Sequence, residues 1–374
     1  SFMYSATHQN NFDKQYRFMD PKVADDLLAE MLDKPVAATD SIPQILNTQR
    51  PNIIFIILES FSTHLMETMG GQPNVAVNMD KFGKEGVLFT NFYANSFRTD
   101  RGLASIISGY PGQPSTSIMK YPEKTDGLPS IPRSLKNAGY SLEYYYGGDA
   151  DFTNMRSYLV SSGIEKIISE TDFPLSERPG KWGAPDHALF QRFLKDLKEE
   201  KQQEPFFKIV QTSSSHEPFE VPFYRLNDKV LNAFAYADSC VGDFVRQYKE
   251  TPMWKNTLIV LVPDHLGAYP RPVENPLEGH TIPLILIGGA VKEPRVVDTY
   301  ASQIDIAATL LSQLGLPHDD FTFSKNIFNP SSPHFGYFTE PTLYGMVTAE
   351  NQLVDNLDAN TVQIDEGTEK GANL

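Results

Sequence analysis

The chain has 374 residues, of which 47 are acidic and 32 basic, giving a net charge of −15. Its length predicts one large domain, or one large and one small domain. The negative charge argues against bulk attraction to nucleic acid, so any phosphate recognition is expected to be local. The single cysteine, Cys240, excludes an internal disulfide and a multi-cysteine zinc site. No apolar run reaches the roughly 18 residues of a membrane span, and the opening Ser1 is compatible with an anchor removed from in front of it.

Residues 1–50 are predicted to form a peripheral lead-in and linker. Within them, residues 23–32 have the spacing of a short amphipathic helix with acidic residues near its start. Residues 35–50 are rich in Pro, Thr, Ser and Asn, which is typical of a linker.

The stretch PNIIFIILES at residues 51–60 contains an unbroken apolar run that ends abruptly in Glu59. Such a run is typical of a strand buried on both faces, as in a parallel sheet covered by helices. A charge at the end of an apolar strand needs a partner. For Glu59 alone, an ion pair with a Lys or Arg and a metal site are equally good interpretations.

From residue 51 onward strand and helix signals alternate, which predicts an α/β fold with a mostly parallel central sheet flanked by helices. Helices are predicted at 60–68, 78–85, 103–108, 130–138, 152–162, 186–200, 229–247 and 304–314. Strands are predicted at 87–93, 140–146, 205–212, 257–262 and 282–287. Residues 335–338, 342–348 and 353–356 are predicted to form a small C-terminal antiparallel sheet. The expected domains are therefore 1–50, a catalytic domain at 51–315, and a C-terminal β subdomain with its tail at 316–374.

Polar residues able to bind metals follow several of the predicted strands. In a parallel sheet the carboxyl ends of the strands meet at one edge, so these residues are expected to converge although they are far apart in sequence. Two carboxylates and an imidazole suit Mn²⁺, Zn²⁺ or Mg²⁺ with a position left open for substrate. The residues are Glu59, Asp149, His216, Asp264 and His265.

Thr99 lies in a polar turn that opens a predicted helix. A hydroxyl at a helix start is most often an N-cap. The same position suits a nucleophile, because a metal lowers the pKa of a bound hydroxyl and free helix N–H groups hold phosphate. Arg98 and Arg101 flank Thr99 and are interpreted either as phosphate clamps or as solvated charges paired with Asp100.

The histidines leave several interpretations open. His216 follows three serines and either binds an anion, protonates a leaving oxygen, or is a satisfied polar loop residue. His280 is interpreted as a substrate contact or a structural hydrogen-bonding residue, in preference to a ligand of a second site. His187 is predicted at the surface, and the three tyrosines at 144–146 are predicted to pack in the core and at its rim.

Taken together, these motifs resemble the sulfatase-like branch of the alkaline phosphatase superfamily. More closely, they are similar to the extracellular domain of lipoteichoic acid synthase and related phosphoglycerol transferases. The resemblance covers roughly residues 50–315. It is carried by IIFIILESFS, GVLFTNFYANSFRTDRGLASIISGYP, YYYGGDADFTNMRSYL, KWGAPDHALF, SSSHEPFEVP, LIVLVPDH and QIDIAATLL.

The resemblance implies one divalent metal ion, of the Mn²⁺ type, held by Glu59, Thr99, Asp264 and His265, with Thr99 as the nucleophile. By position, headgroup-binding residues are implied at Asp149, Arg156 and His216, with Trp182 as a further candidate. The implied reaction moves a phosphoglycerol-type headgroup from a phospholipid donor to a glycan or polymer acceptor. It also implies a membrane-anchored protein with an extracytoplasmic catalytic domain, of which this chain would be a soluble ectodomain.

Two features of the sequence differ from the families that it resembles. Leu266 follows His265 where the family usually has glycine, and a side chain there is expected to narrow the pocket or alter the headgroup. The Cys/Ser-x-Pro-x-Arg motif of a true sulfatase is missing, and Thr99-Asp100-Arg101 stands in its place. The remaining alternatives are a phosphoethanolamine transferase, a phosphodiesterase or phosphatase, a metal-free lipid or glycan sensor, and a structural wall protein.

Overall fold

The computed structural model describes residues 19–199, 202–265, 267, 269 and 275–371. Eight strands form the central sheet, in the order β5-β4-β6-β1-β7-β8-β2-β9. They are β1 (Asn52–Leu58), β2 (Val87–Phe89), β4 (Ser141–Tyr146), β5 (Lys166–Ile168), β6 (Phe206–Gln211), β7 (Thr257–Pro263), β8 (Leu284–Ile287) and β9 (Arg295–Val297). Every neighbouring pair is parallel except the two that involve β8. The predicted α/β fold with a mostly parallel central sheet is therefore confirmed.

Strand β1 lies inside the sheet between β6 and β7, and all seven of its residues are buried. Successive side chains of a strand point to opposite faces. Ile53, Phe55 and Ile57 accordingly join the hydrophobic core on one face of the sheet, and the residues between them join the core on the other face. Burial on both faces explains why this run is unbroken rather than alternating.

The α-helices cover both faces of this sheet. Helices α3, α5, α6 and α10 contribute to the core on one face, and α2, α7 and α8 contribute to the core on the other. The described α-helices are α1 (Pro21–Met31), α2 (Val77–Glu85), α3 (Thr99–Ser108), α4 (Pro122–Thr125), α5 (Ile131–Asn137), α6 (Met155–Ser161), α7 (Asp186–Glu199), α8 (Lys229–Tyr248), α9 (Pro276–Gly279) and α10 (Ile306–Gln313). Short 3₁₀ turns occur at Thr63–Leu65, Glu67–Met69, Ile118–Lys120, Phe152–Asn154, Glu170–Asp172, Leu175–Glu177, Pro252–Asn256 and Gln303–Asp305. No described helix has both the length and the apolar character needed to cross a bilayer.

The predicted element at 282–287 is a strand, but it runs antiparallel to its neighbours β7 and β2. A parallel neighbour needs a crossover that carries the chain back across the sheet, usually along a helix. The described helix between β7 and β8 is α9, which has four residues. It is too short to carry the chain back, so β8 starts at the edge where β7 ends.

Other predicted elements also differ locally from the structure. The helix predicted at 60–68 is a pair of 3₁₀ turns at Thr63–Leu65 and Glu67–Met69. The strand predicted at 87–93 is divided into β2 and β3 (Phe92–Tyr93). β3 leaves the central sheet and pairs with β10 (Ala301–Ser302).

The C-terminal antiparallel sheet is also confirmed, but it has four strands in sequence order where three were predicted. They are β11 (Gly336–Thr339), β12 (Leu343–Val347), β13 (Asn351–Asn356) and β14 (Thr361–Gly367). The lead-in is described from residue 19, and helix α1 has no buried residue. Lead-in residues 1–18 lie outside the described part of the chain. The division at residues 50 and 315 stays a prediction.

Candidate metal and nucleophile site

Glu59 and Asp264 follow the carboxyl ends of the adjacent strands β1 and β7. Leu58 and Pro263 are paired in the parallel register, so the next residue of each strand emerges at the same level. The backbone N–H of Asp264 donates to the Leu58 carbonyl at 3.2 Å. The N–H of Ser60 donates to Asp264 Oδ1 at 2.9 Å. The two carboxylates are therefore held side by side by the backbone of the sheet.

His265 completes a cluster with these carboxylates. Its Nε2 lies 3.4 Å from Glu59 Oε1 and 3.6 Å from Asp264 Oδ2. One ligand atom from each residue lies within 4.8 Å of the other two. Two carboxylate oxygens and an imidazole nitrogen at this spacing can hold a divalent cation.

The electrostatics of the cluster favour a bound cation. Burial, together with the negative charge of Glu59, raises the pKa of the Asp264 carboxyl. Burial alone would also raise the pKa of Glu59, but the hydrogen bond and charge of His265 outweigh it and lower that pKa. Asp264 Oδ2 is buried and has no hydrogen-bond donor among the described residues. A buried oxygen of this kind is costly unless it is paired, so the donor set fits a metal ion.

Thr99 is the first residue of helix α3 and joins the cluster through its hydroxyl. Its Oγ1 lies 3.3 Å from Glu59 Oε2 and 3.4 Å from His265 Nε2. The hydroxyl therefore lies both beside the cluster and at a helix N-terminus, where the helix dipole favours an anion. The helix begins four residues before the predicted start, and its capping position is Arg98, which makes no side-chain capping bond.

The rings of His216 and Trp182 contact each other at a tilt of 45°, with centroids 4.0 Å apart. The charge of His216 is one of the influences that lower the pKa of Glu59, so His216 lies within electrostatic range of that carboxylate. Trp182 also packs edge-on against Phe152 at 6.5 Å. Both Trp182 and His216 line an open cavity of about 420 Å³.

Asp149 lies in the segment that follows β4, and Arg156 is the second residue of helix α6. Asp149 is exposed, and its Oδ1 accepts a hydrogen bond from the Asp151 N–H at 2.8 Å. Arg156 donates from Nε to Asp151 Oδ1 at 2.8 Å and from Nη2 to Ser169 Oγ at 3.2 Å. The structure therefore connects Asp149 and Arg156 through Asp151, and their role with a headgroup stays a prediction.

Arg101 and His280 make contacts away from the cluster. Arg101 donates from Nε to the Thr116 carbonyl at 2.8 Å, and its guanidinium lies over the Phe97 ring at 4.6 Å. His280 is fully buried and has its Nδ1 2.8 Å from the Pro276 carbonyl. Neither contact joins these side chains to the cluster, and their predicted substrate contacts remain untested. Leu266 lies outside the described residues.

Two residues near the cluster were missed by reasoning from the sequence. Tyr146 ends β4, and burial and the charges of Glu59 and Asp264 raise its pKa. Asp186 is fully buried, and its Oδ1 accepts from the N–H groups of Ser213 and Ser214 at 2.9 and 3.3 Å. It thereby holds the turn that leads to His216. The available signals were the strand-end position of Tyr146 and the placement of Asp186 within the KWGAPDHALF motif.

Comparison with known proteins assigns the chain to a family. The fold is that of the alkaline phosphatase superfamily. The model of the Sulfatase family matches residues 51–316, and the chain belongs to that family. Both identifications confirm the resemblance drawn from the motifs.

Two solved structures share the fold over nearly the whole chain. A protein in the alkaline phosphatase superfamily from Vibrio parahaemolyticus has a TM-score of 0.82 and 26% identity, over 95% of this chain and 93% of that one. The lipoteichoic acid synthase LtaP from Listeria monocytogenes has a TM-score of 0.74 and 20% identity, over 92% of this chain and 93% of that one.

Among curated relatives, the lipoteichoic acid synthase of Staphylococcus saprophyticus is 27% identical over 306 residues, covering 72% of this chain and 46% of that protein. Phosphoglycerol transferase I of Xanthomonas campestris is 24% identical over 318 residues, covering 78% of this chain and 45% of that protein. The chain spans about half the length of the curated relatives it matches.

Proposed function

We propose that this chain is a metal-dependent transferase that moves a phosphoglycerol-type headgroup from a phospholipid to a glycan or polymer acceptor through a phosphothreonine intermediate on Thr99. The observation that carries the proposal is the position of the Thr99 hydroxyl, 3.3 Å from Glu59 Oε2 and 3.4 Å from His265 Nε2. A hydroxyl beside buried cation ligands and at the start of a helix suits attack on a phosphate ester.

The residues that would hold the metal are Glu59, Thr99, Asp264 and His265. Mn²⁺ is the proposed ion, with Zn²⁺ and Mg²⁺ as alternatives, because mixed carboxylate and imidazole ligands accept all three. When bound, the ion lowers the pKa of a neighbouring hydroxyl and neutralises charge on phosphate oxygens. Asp264 Oδ2 supports this assignment, since it is buried and accepts no hydrogen bond from the described residues, and a buried carboxylate oxygen requires a cationic or donor partner.

In the first half of the proposed reaction, deprotonated Thr99 Oγ1 attacks phosphorus in line with the bond to diacylglycerol. The Oγ1–P bond forms and the bond from phosphorus to the diacylglycerol oxygen breaks, so the headgroup phosphate becomes esterified to Thr99. The leaving oxygen needs a proton, and we assign its donation to His216, whose charge acts on Glu59. The N-terminal dipole of helix α3 stabilises the negative charge of the phosphate oxygens.

In the second half, a hydroxyl of the acceptor attacks the phosphothreonine. His216 accepts the hydroxyl proton, a new bond from phosphorus to the acceptor oxygen forms, and the Oγ1–P bond breaks to regenerate Thr99. We assign the acceptor to the open cavity that His216 and Trp182 line, since His216 is the proposed proton acceptor.

The choice of headgroup is supported by the names of the relatives, which are lipoteichoic acid synthases and phosphoglycerol transferases. Because the chain spans about half of those proteins, we also propose that it works as the extracytoplasmic part of a longer membrane-anchored protein. The missing Cys/Ser-x-Pro-x-Arg motif and the burial of Cys240 within helix α8 argue against sulfate ester hydrolysis.

The nucleophile is tested with Thr99→Ala, which should abolish headgroup transfer because no oxygen remains to attack phosphorus. Transfer would be followed with a lipid that carries a labelled glycerol phosphate headgroup. Covalent labelling of the protein would be followed by mass spectrometry. Thr99→Ser keeps a hydroxyl and should retain part of the activity. Thr309→Ala is the matched control, because Thr309 donates to the Asp305 carbonyl at 2.7 Å within helix α10. Wild-type transfer by Thr99→Ala would refute the assignment.

The headgroup and the enzyme class are tested separately. Parallel assays with lipids labelled in glycerol phosphate and in ethanolamine phosphate should show transfer of the former. Preference for ethanolamine phosphate would favour the phosphoethanolamine transferase alternative, and release of free phosphate without an acceptor would favour a phosphatase. Absence of stoichiometric metal together with absence of transfer would favour a non-catalytic sensor.

A further inference from the structure

The motif QIDIAATLL begins with Gln303, which has no role in the mechanism above. Gln303 is fully buried, and its side-chain amide is completely bonded. Nε2 donates to the carbonyl of Pro263 at 2.8 Å and to that of Asp264 at 2.7 Å. Oε1 accepts from the backbone N–H of Asn95 at 2.9 Å. One side chain therefore bridges the end of strand β7 and the segment that leads to Thr99.

The carbonyls of Pro263 and Asp264 lie at a point where the parallel pairing of the sheet ends, since the last register pair of β1 and β7 is Leu58 with Pro263. A buried carbonyl without a partner is costly. The amide of Gln303 satisfies both carbonyls, and in doing so it fixes the orientation of the peptide that carries the Asp264 ligand.

Helix α3 contacts the same peptide through Gly102. A Cβ atom at residue 102 would lie 1.9 Å from the Asp264 carbonyl oxygen, so the helix backbone is in direct contact with it. The Asp264 carbonyl is thus held between Gly102 and the Gln303 amide. Thr99 lies three residues before Gly102 in the same helix, and its distance from the Asp264 carboxylate depends on this contact.

Asn95 extends the connection to the C-terminal sheet. Its Oδ1 accepts from the Ile304 N–H at 3.1 Å, and its Nδ2 donates to the Tyr337 carbonyl at 3.0 Å. The Thr339 N–H donates to the Asn95 carbonyl at 3.0 Å. Strand β11 is therefore bonded to the segment that precedes the nucleophile.

The backbone on both sides of Gln303 is held by further contacts. Ser302 belongs to β10, which pairs with β3, and its N–H donates to Asp305 Oδ2 at 3.0 Å. Asp305 Oδ1 pairs with Lys325 Nζ at 2.8 Å, and both side chains are buried. A side chain fixed at this precision can determine the geometry of the groups it bonds.

We propose that Gln303, with Asn95, is a positioning residue that sets the separation between Thr99 and the Asp264–His265 pair and so tunes metal affinity and the rate of attack. It acts through backbone groups and does not contact substrate. The activity part of this inference rests on the proposed function, whereas the part about metal affinity does not.

The test is Gln303→Met, which keeps the approximate shape of the side chain but removes the amide. Metal affinity would be measured by calorimetry, titrating Mn²⁺ into metal-stripped protein. Because partners that orient metal ligands typically change affinity or activity by 10- to 100-fold, the dissociation constant is expected to rise by about that factor. With saturating Mn²⁺, kcat for headgroup transfer should fall by a similar factor while KM for the lipid changes little.

Gln313→Met is the matched control. Gln313 is also buried, and both atoms of its amide are hydrogen-bonded to the stretch 43–45: Oε1 accepts from the Ile45 N–H and Nε2 donates to the Pro43 carbonyl, both at 2.8 Å. The Gln313→Met variant should lose thermal stability to a similar extent as Gln303→Met and should keep wild-type metal affinity and kcat. Gln303→Asn keeps the amide on a shorter side chain and should give intermediate effects. It replaces Gln303→Met if that variant does not fold.

The inference is overturned if Gln303→Met or Gln303→Asn lowers thermal stability like Gln313→Met but binds Mn²⁺ and turns over as the wild type does. Weakened Mn²⁺ binding by Gln303→Met in a protein whose wild type transfers no headgroup would support the inference about metal affinity. That same result would count against the proposed function, so the two failures are distinguishable.

Discussion

The protonation state of one buried side chain, His280, affects the stability of the whole protein. Its Nδ1 lies 2.8 Å from the Pro276 carbonyl, and its ring stacks on Phe338 at 3.8 Å. Glu340 Oε1 lies 3.6 Å from Nε2, which has no hydrogen-bond partner among the residues described. Burial lowers the pKa of His280 to about 4, so this imidazole is neutral in the folded protein at neutral pH.

Acid should therefore destabilise the protein through His280. Its folded pKa of about 4 lies below the unfolded value of about 6.5, so the unfolded state binds the proton first as the pH falls. The stability contributed by neutral His280 is present above pH about 6.5 and is lost as the pH falls towards 4. We expect this loss to reach about 3 kcal/mol.

Urea unfolding of the wild type and of His280→Gln between pH 7 and pH 4 measures this effect. The variant cannot titrate at this position, so its free energy of unfolding should fall less steeply over that range. Glu340→Gln is the control for the neighbouring carboxyl, whose pKa is raised by burial and whose contribution has the opposite sign. Equal slopes for the wild type and His280→Gln would contradict the prediction.

Among the elements, helix α3 shows best why some boundaries escape prediction. Its first turn is Thr99-Asp100-Arg101-Gly102, which has no apolar periodicity, so the sequence predicts a helix only from residue 103. In the structure this polar turn is nevertheless largely buried, with Asp100 and Arg101 each 7% exposed. Tertiary contacts to the 114–116 loop and to Asp264 favour the helix there, and neither contact is visible in local sequence.

Gly102→Ala should separate helix α3 from strand β7. The new Cβ would lie 1.9 Å from the backbone oxygen of Asp264, which cannot move without disturbing the cluster of Glu59, Asp264 and His265. We expect a loss of about 1–3 kcal/mol in the free energy of unfolding, as for other overpacked positions, together with weaker Mn²⁺ binding.

Gly83→Ala is the matched control in helix α2. A Cβ at residue 83 would meet only the Leu88 side chain, at 3.3 Å. Replacing a glycine inside a helix with alanine contributes roughly 0.5–1 kcal/mol of stability where space allows, so this variant should be neutral or slightly stabilised. Denaturant unfolding and Mn²⁺ titration of both variants check the prediction, which fails if Gly102→Ala binds Mn²⁺ normally.

For the molecule as a whole, the sequence predicts the parallel sheet because its strands are short apolar runs that end in polar residues. The same pattern brings Glu59, Asp264 and His265 to one edge, where the structure places them within ligand distance of each other. The direction of β8 was not predictable, because its apolar run is compatible with either orientation. Tyr146 and Asp186 were missed because their proximity to the cluster is a property of the fold rather than of neighbouring residues.

Two of the acidic residues of this negatively charged chain are buried close together. Glu59 and Asp264 are both buried at the same edge of the sheet. Like charges in a poorly solvated site repel each other and raise the cost of folding without a cation. Metal binding should therefore be linked to the stability of the whole molecule, because only the folded chain brings the ligands together.

Adding Mn²⁺ to metal-stripped protein should raise the melting temperature. At a free concentration of 100 times the dissociation constant, the expected stabilisation is about 2.7 kcal/mol, which scanning calorimetry can detect in a chain of this size. Asp264→Asn removes one of the two charges, so the metal-free variant should melt at or above the wild-type temperature and should not respond to Mn²⁺. Asp238→Asn is the control, because Asp238 is a buried carboxylate that accepts from the N–H groups of Asn78 and Met79 at 3.0 and 2.9 Å, at the start of helix α2. It should lose some stability and keep the full Mn²⁺ response. In Asp264→Asn the cluster formed by Glu59, Asp264 and His265 lacks one of its two carboxylates. An undiminished response to Mn²⁺ in this variant would therefore show that the ion binds elsewhere.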